Sequence, residues 1–495
     1  MAGMSGARAA GRQRSAAVRE KPDARPSDAA LMGLALLGML ASWLLRLPCR
    51  QLGWNGELPA MGMCFSDPPT LYRTTGMAYG HFPYLSPEAL LEYPVLQTLI
   101  ATATGLLTHL ITGATSVHVA QSMYFDVNVL LLAGVWAVTV LLVARMASRP
   151  AAAVMAVAPG LIATGVINWD LWPVLTVVAA LWAFRGRRWV LGGALLGLGT
   201  ALKLWPFIVL GAVIVLAIRR RDAAPAIRAT AAAAVVWIVL DLPFALADPL
   251  QWGYFWGFSG QRGAGFSSIY HVWNTALGPL AGLPPLSGGA VNLLAYGLFA
   301  VLCVMILAIG LAARREPRLE ELALLIVAAF VLTNKVYSPQ FVLWLIPLVL
   351  LARPRLRGFL GWQLVEALHW VSISLWLHAS SWDTPWVASA TGLYVLAVGL
   401  HTAALLYLCG AVVLQMQQPV AAPDSEDAGG PGDTGRHAPR PGTAPWPGRA
   451  ERSGAPAILS ADRSARSAPA RPPSRTGDPD TEARDDDAGG AGRHG

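Results

Sequence analysis

The chain has 495 residues, of which 55% are hydrophobic and only 13% are charged. Soluble domains carry roughly 25% charged residues, so this sequence lacks the polar surface that a soluble enzyme of its size needs. Its 36 prolines and 49 glycines also exclude one long coiled coil. Apolar runs of about 13–26 residues are long enough for membrane segments and too long for buried strands. The composition therefore predicts an all-α polytopic membrane protein.

The two ends differ from the apolar body. Residues 1–28 form a basic arm, and residues 416–495 are rich in Pro, Gly, Ala, Ser, Asp and Arg. Such segments cannot bury enough apolar surface to offset their ordering entropy, so we expect both to be disordered and cytoplasmic. No small-residue cleavage site follows the first apolar run, which excludes a secretory signal peptide. Mixed acidic and basic residues without aromatic interleaving argue against nucleic-acid binding. Residues 29–415 remain as the membrane domain.

The positions of the basic residues predict the orientation of the helices. Cytoplasmic loops are enriched in Lys and Arg, and basic clusters lie in the N-terminal arm and in five loops between apolar runs. An even number of crossings must separate consecutive clusters, which predicts about twelve membrane helices with both termini cytoplasmic. The predicted spans are 29–47, 122–144, 150–166, 171–184, two short helices within 189–218 that turn near Lys203, 229–247, 289–313, two short helices within 321–352 that turn at 334–339, 358–378 and 388–414.

Residues 48–121 are predicted to form one long external loop. The segment 94–112 within it is a poor span because it carries six polar residues, namely Thr98, Thr102, Thr104, Thr108, His109 and Thr112. Since a crossing there would also move Arg145 and Arg149 outside, we expect a juxtamembrane or re-entrant helix, which is tolerated where protein covers it. Cys49 and Cys64 would both be external, where a disulfide between them is predicted.

Unusual polar residues collect at the predicted external ends of the helices. They are Asp67, Glu92, Tyr93, Asp126, Asn168, Asp170, Lys203, Asp241, Arg262, His271, Asn334, Lys335 and Tyr337. Ionisable residues near membrane depth are costly and suggest a functional site, although any one of them can instead cap a helix or lie at the interface.

Two lysines stand in similar surroundings. Lys203-Leu-Trp-Pro and Lys335-Val-Tyr-Ser-Pro each combine a lysine, an aromatic residue and a proline at the turn of a short helical hairpin. Proline ends the helix by removing a donor, and a lysine at such an end suits a phosphate group. The alternative is that each lysine extends to the membrane interface.

Asp67 precedes Pro68 and Pro69, which predicts an extended or turn conformation for it. A carboxylate on such a stiff backbone suits a positioned general base, although Asp-Pro-Pro is also an ordinary turn sequence. The aromatic residues of the stretch 248–274 form either an interfacial belt or platforms for a sugar and a prenyl chain.

Several of these motifs together resemble glycosyltransferase family 87. They are Ser66-Asp67 with Leu71-Tyr72, Gly80-His-Phe-Pro-Tyr84, Glu92-Tyr93-Pro94, Asn168-Trp-Asp170, Gly197-Leu-Gly-Thr-Ala-Leu-Lys203-Leu-Trp-Pro206 and Lys335-Val-Tyr-Ser-Pro-Gln340. The resemblance covers roughly residues 30–415. That family includes actinobacterial α-1,2-mannosyltransferases that use polyprenyl-phosphate mannose, and it has the GT-C membrane fold.

The resemblance implies an enzyme in the plasma membrane with an external active site. It would transfer a hexose, expected to be mannose, with inversion from a polyprenyl-phosphate sugar to a lipid-linked or cell-envelope glycan. Asp67 matches the proposed catalytic base, and the leaving phosphate would be bound by Lys203 and Lys335, with Arg262 and His271 as second candidates. The remaining candidates for substrate binding are Glu92, Tyr93, Asn168, Asp170 and Tyr337.

Three further expectations complete the prediction. Residues 29–415 contain no DxD pair, HExxH motif, Cys/His cluster or Walker loop, so we expect neither a metal nor another cofactor. Broken helices with charges at depth also occur in transporters, which keeps a lipid or glycan flippase as the alternative function. A non-enzymatic scaffold is a third reading, but it would have no use for the clustered external polar groups.

Overall fold

The computed structural model describes residues 26–113, 115–352, 356–382 and 384–419. Most of the predicted arm 1–28 and tail 416–495 lies outside the described residues. Within them the chain forms helices and no β-strand, which confirms the predicted all-α class.

The helices follow one another along the chain. The first ten are α1 (Asp28–Leu44), α2 (Leu47–Leu52), α3 (Leu58–Met61), α4 (Asp67–Thr74), α5 (Val95–Thr112), α6 (Val117–Met146), α7 (Arg149–Ala156), α8 (Pro159–Thr164), α9 (Leu171–Arg185) and α10 (Trp189–Leu202). The others are α11 (Leu210–Arg220), α12 (Ala224–Ala247), α13 (Pro249–Gln261), α14 (Ile269–Val272), α15 (Gly278–Leu280), α16 (Gly288–Ala312), α17 (Leu319–Thr333), α18 (Val342–Ala352), α19 (Leu356–Ser381) and α20 (Val387–Met416). Short 3₁₀ segments at Met77–Tyr79, Trp205–Val209 and Pro339–Phe341 and a π segment at Trp273–Leu277 complete them.

Five of the described helices, α5, α6, α12, α16 and α20, are long and apolar enough to cross a membrane. The chain is therefore a multi-pass membrane protein, and the number of twelve crossings stays a prediction.

The helices differ in how much of them is buried. Every residue of α18 is buried, whereas only 17% of the most apolar 18-residue stretch is buried in α12 and in α16. The α17–α18 region thus lies in the protein core, and α12 and α16 present apolar surface outward.

The predicted interruptions at the two lysines are present. Helix α10 ends before Lys203, and a 3₁₀ segment starts at Trp205. Helix α17 likewise ends at Thr333, and the chain becomes helical again at Pro339. The predicted span 150–166 contains a break, because it is divided into α7 and α8 immediately before Pro159, whose ring and missing donor interrupt the helix.

Helix α5 is one continuous helix of 18 residues. It has the length and hydropathy of a membrane span although it carries several threonines, and its juxtamembrane or re-entrant position stays a prediction. Its threonine hydroxyls find partners inside the protein. Thr104, Thr108 and Thr112 each donate to the carbonyl four residues earlier, at 2.8–2.9 Å. A threonine bonded in this way no longer presents an unsatisfied polar group to an apolar environment.

Helices α10 and α12 pack with their backbones in close approach. A methyl group added at Gly193 would lie 2.1 Å from the carbonyl oxygen of Ala229, and one at Gly197 would lie 2.4 Å from that of Ala233. Small residues spaced by four allow such an approach between membrane helices. The contact positions α10, whose C-terminal end carries Lys203.

Cys49 in α2 is bonded to Cys64, with their Cα atoms 5.7 Å apart. The predicted disulfide is therefore confirmed, and it ties α2 to the segment that immediately precedes Asp67.

Candidate active site

Most of the predicted site residues line one cavity of about 490 Å³. Its polar lining includes Asp67, Glu92, Tyr93, Asn168, Lys203, Arg262, Asn334 and Lys335. Aromatic residues contribute much of the rest of the wall, namely Trp205, Phe207, Phe255, Phe258, Tyr296, Phe299, Phe330 and Phe341. The cavity thus combines two carboxylates, three cations and a large apolar surface.

Asp67 is the first residue of α4, so the expected extended or turn conformation is corrected. Pro68 and Pro69 fit the first helical turn because its N–H groups have no partner within the helix. The N–H of Asp67 donates to the carbonyl of Ile167 at 2.6 Å. The hydroxyl of Ser66 donates to the carbonyl of Val166 at 2.7 Å. These two bonds join the start of α4 to the loop before α9 and fix the position of the carboxyl group.

The surroundings of Asp67 make it a weaker acid than usual. Burial raises its pKa to about 6. Lys203 and Arg262 oppose this shift, as does a hydrogen bond from Asn168, whereas the negative charge of Glu92 adds to it. A carboxylate whose pKa lies close to neutral pH is well suited to accept a proton as a general base.

Lys203 lies just after α10 in an extended conformation. Its Nζ donates to Oδ1 of Asp170 at 2.7 Å, and the same oxygen accepts a bond from Nε1 of Trp344 at 2.6 Å. The Asp170 side chain is fully buried. Asp170 therefore does not line the cavity but fixes the ammonium group of Lys203 at its wall.

Aromatic rings surround the same ammonium group. Nζ of Lys203 lies 5.6 Å from the ring centres of Phe341 and Trp344 and 5.9 Å from that of Tyr93. These distances are in the range of cation–π attraction.

The Glu92–Tyr93 segment is held in place by Gln251 of α13, whose amide exchanges two hydrogen bonds with the backbone of Leu91 at 2.9 and 3.1 Å.

Lys335 and Arg262 come from two loops that pair with each other. The N–H of Gly265 donates to the carbonyl of Lys335 at 2.7 Å, and Nζ of Lys335 donates to the carbonyl of Gly260 at 3.0 Å. Burial and the neighbouring Arg262 charge lower the pKa of Lys335. The guanidinium of Arg262, at the end of α13, lies 5.7 Å from the ring centre of Phe258.

Two further predicted residues lie away from the cavity lining. His271 packs among aromatic rings, 5.2 Å from Phe266 and 5.3 Å from Trp376, and burial lowers its pKa. The ring of Tyr337 lies 4.6 Å from that of His401. The structure therefore brings seven of the ten predicted site residues to one cavity. Asp170, His271 and Tyr337 are not part of its lining.

A protein-family model and a solved structure are similar to this chain. The family model of glycosyltransferase family 87 matches residues 90–334. The crystal structure of ArnT from Cupriavidus metallidurans bound to undecaprenyl phosphate is similar, with a TM-score of 0.36 and 13% identity over 77% of this chain and 78% of that chain. No curated protein matches the sequence.

The matched segment contains Glu92, Asn168, Lys203 and Arg262 of the cavity wall, and the all-helical, multi-pass architecture is the one expected of the GT-C class to which this family belongs. We therefore identify the chain, through its residues 90–334, as a member of glycosyltransferase family 87 and as a membrane glycosyltransferase.

Proposed function

We propose that the protein transfers a hexose, expected to be mannose, from a polyprenyl-phosphate sugar to a hydroxyl group of a lipid-linked or cell-envelope glycan. The observation that carries this proposal is the composition of the cavity. Asp67, Lys203, Arg262 and Lys335 line the same space of about 490 Å³ as a series of aromatic rings. Such a lining suits a donor with a phosphate next to a hydrocarbon chain.

The carboxylate and the cations supply complementary halves of the reaction. Asp67 accepts the proton of the acceptor hydroxyl, whose oxygen forms a bond to the anomeric carbon of the donor. The bond between that carbon and the phosphate oxygen breaks, and its electron pair leaves with the polyprenyl phosphate. Attack from the face opposite the phosphate inverts the anomeric configuration. Positioned cations stabilise the charge that grows on the phosphate.

The cations differ in how freely they can meet a phosphate. Lys203 is already paired with Asp170 at 2.7 Å, so it contributes a partly compensated charge. Arg262 ends α13 beside the aromatic ring of Phe258, and Lys335 donates to a neutral backbone carbonyl. We therefore propose Arg262 and Lys335 as the main phosphate ligands, with Lys203 as a fixed positive charge between the phosphate and Asp67.

The apolar wall suits the prenyl chain. Phe207 and Tyr296 line the cavity and are also 51% and 68% exposed on the protein surface. Tyr296 belongs to α16, which presents most of its apolar surface outward. A lipid chain can thus extend from the phosphate site through these rings into the bilayer, while its head group stays among the charged residues.

The donor class is tested with purified protein and a synthetic glycan acceptor. We expect product with polyprenyl-phosphate mannose and none with a nucleotide-activated mannose, because the sequence has no nucleotide-binding motif. Transfer from the nucleotide sugar alone would refute the proposed donor. Lipid movement across vesicle membranes without any glycosylated product would instead support the flippase alternative.

A further inference from the structure

A second group of ionisable side chains lies between α19 and α20, outside the cavity lining. Glu366 and His369 of α19 and His401 of α20 are 4%, 1% and 0% exposed. Residues three apart share one face of a helix, so Glu366 and His369 both face α20. The proposed transfer reaction uses none of the three.

Their hydrogen bonds leave this group incompletely satisfied. Oε1 of Glu366 accepts a bond from Nε1 of Trp362 at 2.8 Å, and Oε2 lies 3.5 Å from Nδ1 of His401. Among the described residues, Nε2 of His369 and both ring nitrogens of His401 have no hydrogen-bond partner. Buried polar atoms are nearly always paired, and leaving them unpaired costs roughly 1–3 kcal/mol each.

The chemistry of the group matches a divalent transition metal. One carboxylate oxygen and one nitrogen from each histidine lie within 4.8 Å of one another. Two imidazoles and a carboxylate are a common ligand set for Zn²⁺, whereas Mg²⁺ and Ca²⁺ prefer oxygen ligands alone. The hydroxyl of Tyr337 is also buried without a partner, on a ring 4.6 Å from that of His401, and is a candidate fourth ligand.

We propose that Glu366, His369 and His401 bind one Zn²⁺ ion that fastens α19 to α20. The two imidazole rings are nearly parallel, with centres 4.1 Å apart and an angle of 7° between their planes. Because a ring nitrogen binds a metal in the plane of its ring, one imidazole turns about its Cβ–Cγ bond when the ion enters. The ion then supplies a partner to one nitrogen of each ring.

The position of this site gives the ion a structural role. Tyr337 belongs to the loop that carries Lys335 to the cavity wall, and its ring centre lies 4.6 Å from that of His401 and 6.2 Å from that of Phe341. An ion bound by α19 and α20 therefore stabilises the packing behind the Lys335 loop without touching the reacting groups. Its presence is independent of which sugar the enzyme transfers.

Metal content tests the proposal directly. Full-length protein, purified after growth with added zinc and washed with a weak chelator, is analysed by inductively coupled plasma mass spectrometry. We expect about one zinc per chain in the wild type and at least a tenfold loss in Glu366→Gln and His401→Leu. His109→Leu removes an exposed histidine of α5 as the matched control and should retain the metal. Replacement of zinc by Co²⁺ should give the visible absorption of a low-symmetry site in the wild type and not in His401→Leu.

Wild-type protein that is folded and active but contains no stoichiometric metal, and whose melting temperature does not change with added Zn²⁺ or with a strong chelator, would overturn the proposal. Because this measurement requires only the wild type, the failure of a variant to fold cannot obscure it. Zinc bound equally by the wild type and by both cluster variants would place the ion elsewhere and contradict the proposal as well. Neither result would affect the proposed sugar transfer.

Discussion

Asp67 combines a fixed position with an unusual environment. Its backbone is bonded to Ile167, and burial raises its pKa to about 6. An ionised carboxylate is required to accept the proton of the acceptor. We therefore expect transfer to rise with pH through about 6 and to level off above it, when kcat/KM is followed across the pH range.

The charge of Glu92 provides a sharper test of this assignment. It raises the pKa of Asp67, so Glu92→Gln should move the acidic limb of the rate profile to lower pH. Glu88→Gln removes an exposed carboxylate that pairs with His81 at 3.4 Å and should leave the limb unchanged. A limb that stays in place in Glu92→Gln, or that moves upward, would mean that another group titrates.

The Lys203–Asp170 pair should matter for stability as well as for charge. Lys203→Met leaves the fully buried Asp170 side chain without its cation. Breaking a fully buried pair lowers the free energy of unfolding by roughly 3–5 kcal/mol. The loss should be smaller here because the Lys203 side chain is partly exposed. The double variant Lys203→Met/Asp170→Asn removes both charges and should recover much of the melting temperature in detergent. A double variant less stable than the single one would contradict this view of the pair.

Local motifs identified seven of the residues that line the cavity, but few of those that support them. Asp67, Lys203 and Lys335 each lie beside prolines at helix ends, a pattern visible along the chain. Gln251 and Trp344 left no such signal, because their partners Leu91 and Asp170 are distant in sequence. Predicting them would have required the packing of α13 and α18 in advance.

At the scale of the element, the close approach of α10 and α12 holds Lys203 in place. Gly193→Ala should cost about 1–3 kcal/mol by overpacking, because its methyl group would lie 2.1 Å from a backbone oxygen of α12. Gly297→Ala in α16 meets no atom within 4 Å and should be neutral or slightly stabilising. The melting temperatures of the two variants test this difference in packing, and equal values would exclude a tight contact at Gly193.

Hydropathy predicts where the helices lie along the chain, but it does not predict every point at which a helix is interrupted. The interruptions after α10 and α17 coincide with prolines in the sequence, and Pro159 marks a further one between α7 and α8. In α5 the threonines predict a poorer membrane span than the hydropathy of the whole helix does. The threonine hydroxyls are bonded to carbonyls of their own helix, and composition alone does not reveal whether a polar group is satisfied.

For the whole molecule, the distribution of basic residues predicts that the disulfide and the cavity face outward. In a Cys303→Ala/Cys409→Ala background, Leu280→Cys should react with an impermeant maleimide in intact cells. Ala223→Cys, beside the basic end of α11, should react only after the membrane is opened. The reverse pattern would show that the orientation is inverted and that the donor is reached from the cytoplasm.

The central claim is that Asp67 is the base of a lipid-dependent sugar transfer. The most direct test is the transfer rate of purified Asp67→Asn with saturating polyprenyl-phosphate mannose and acceptor, with Glu88→Gln as control. Asn preserves the size of the side chain and the N–H bond to Ile167, so the variant should fold and bind the donor. We predict that kcat falls by about 100-fold or more while Glu88→Gln stays at the wild-type rate. A folded Asp67→Asn enzyme with the wild-type kcat would contradict the account.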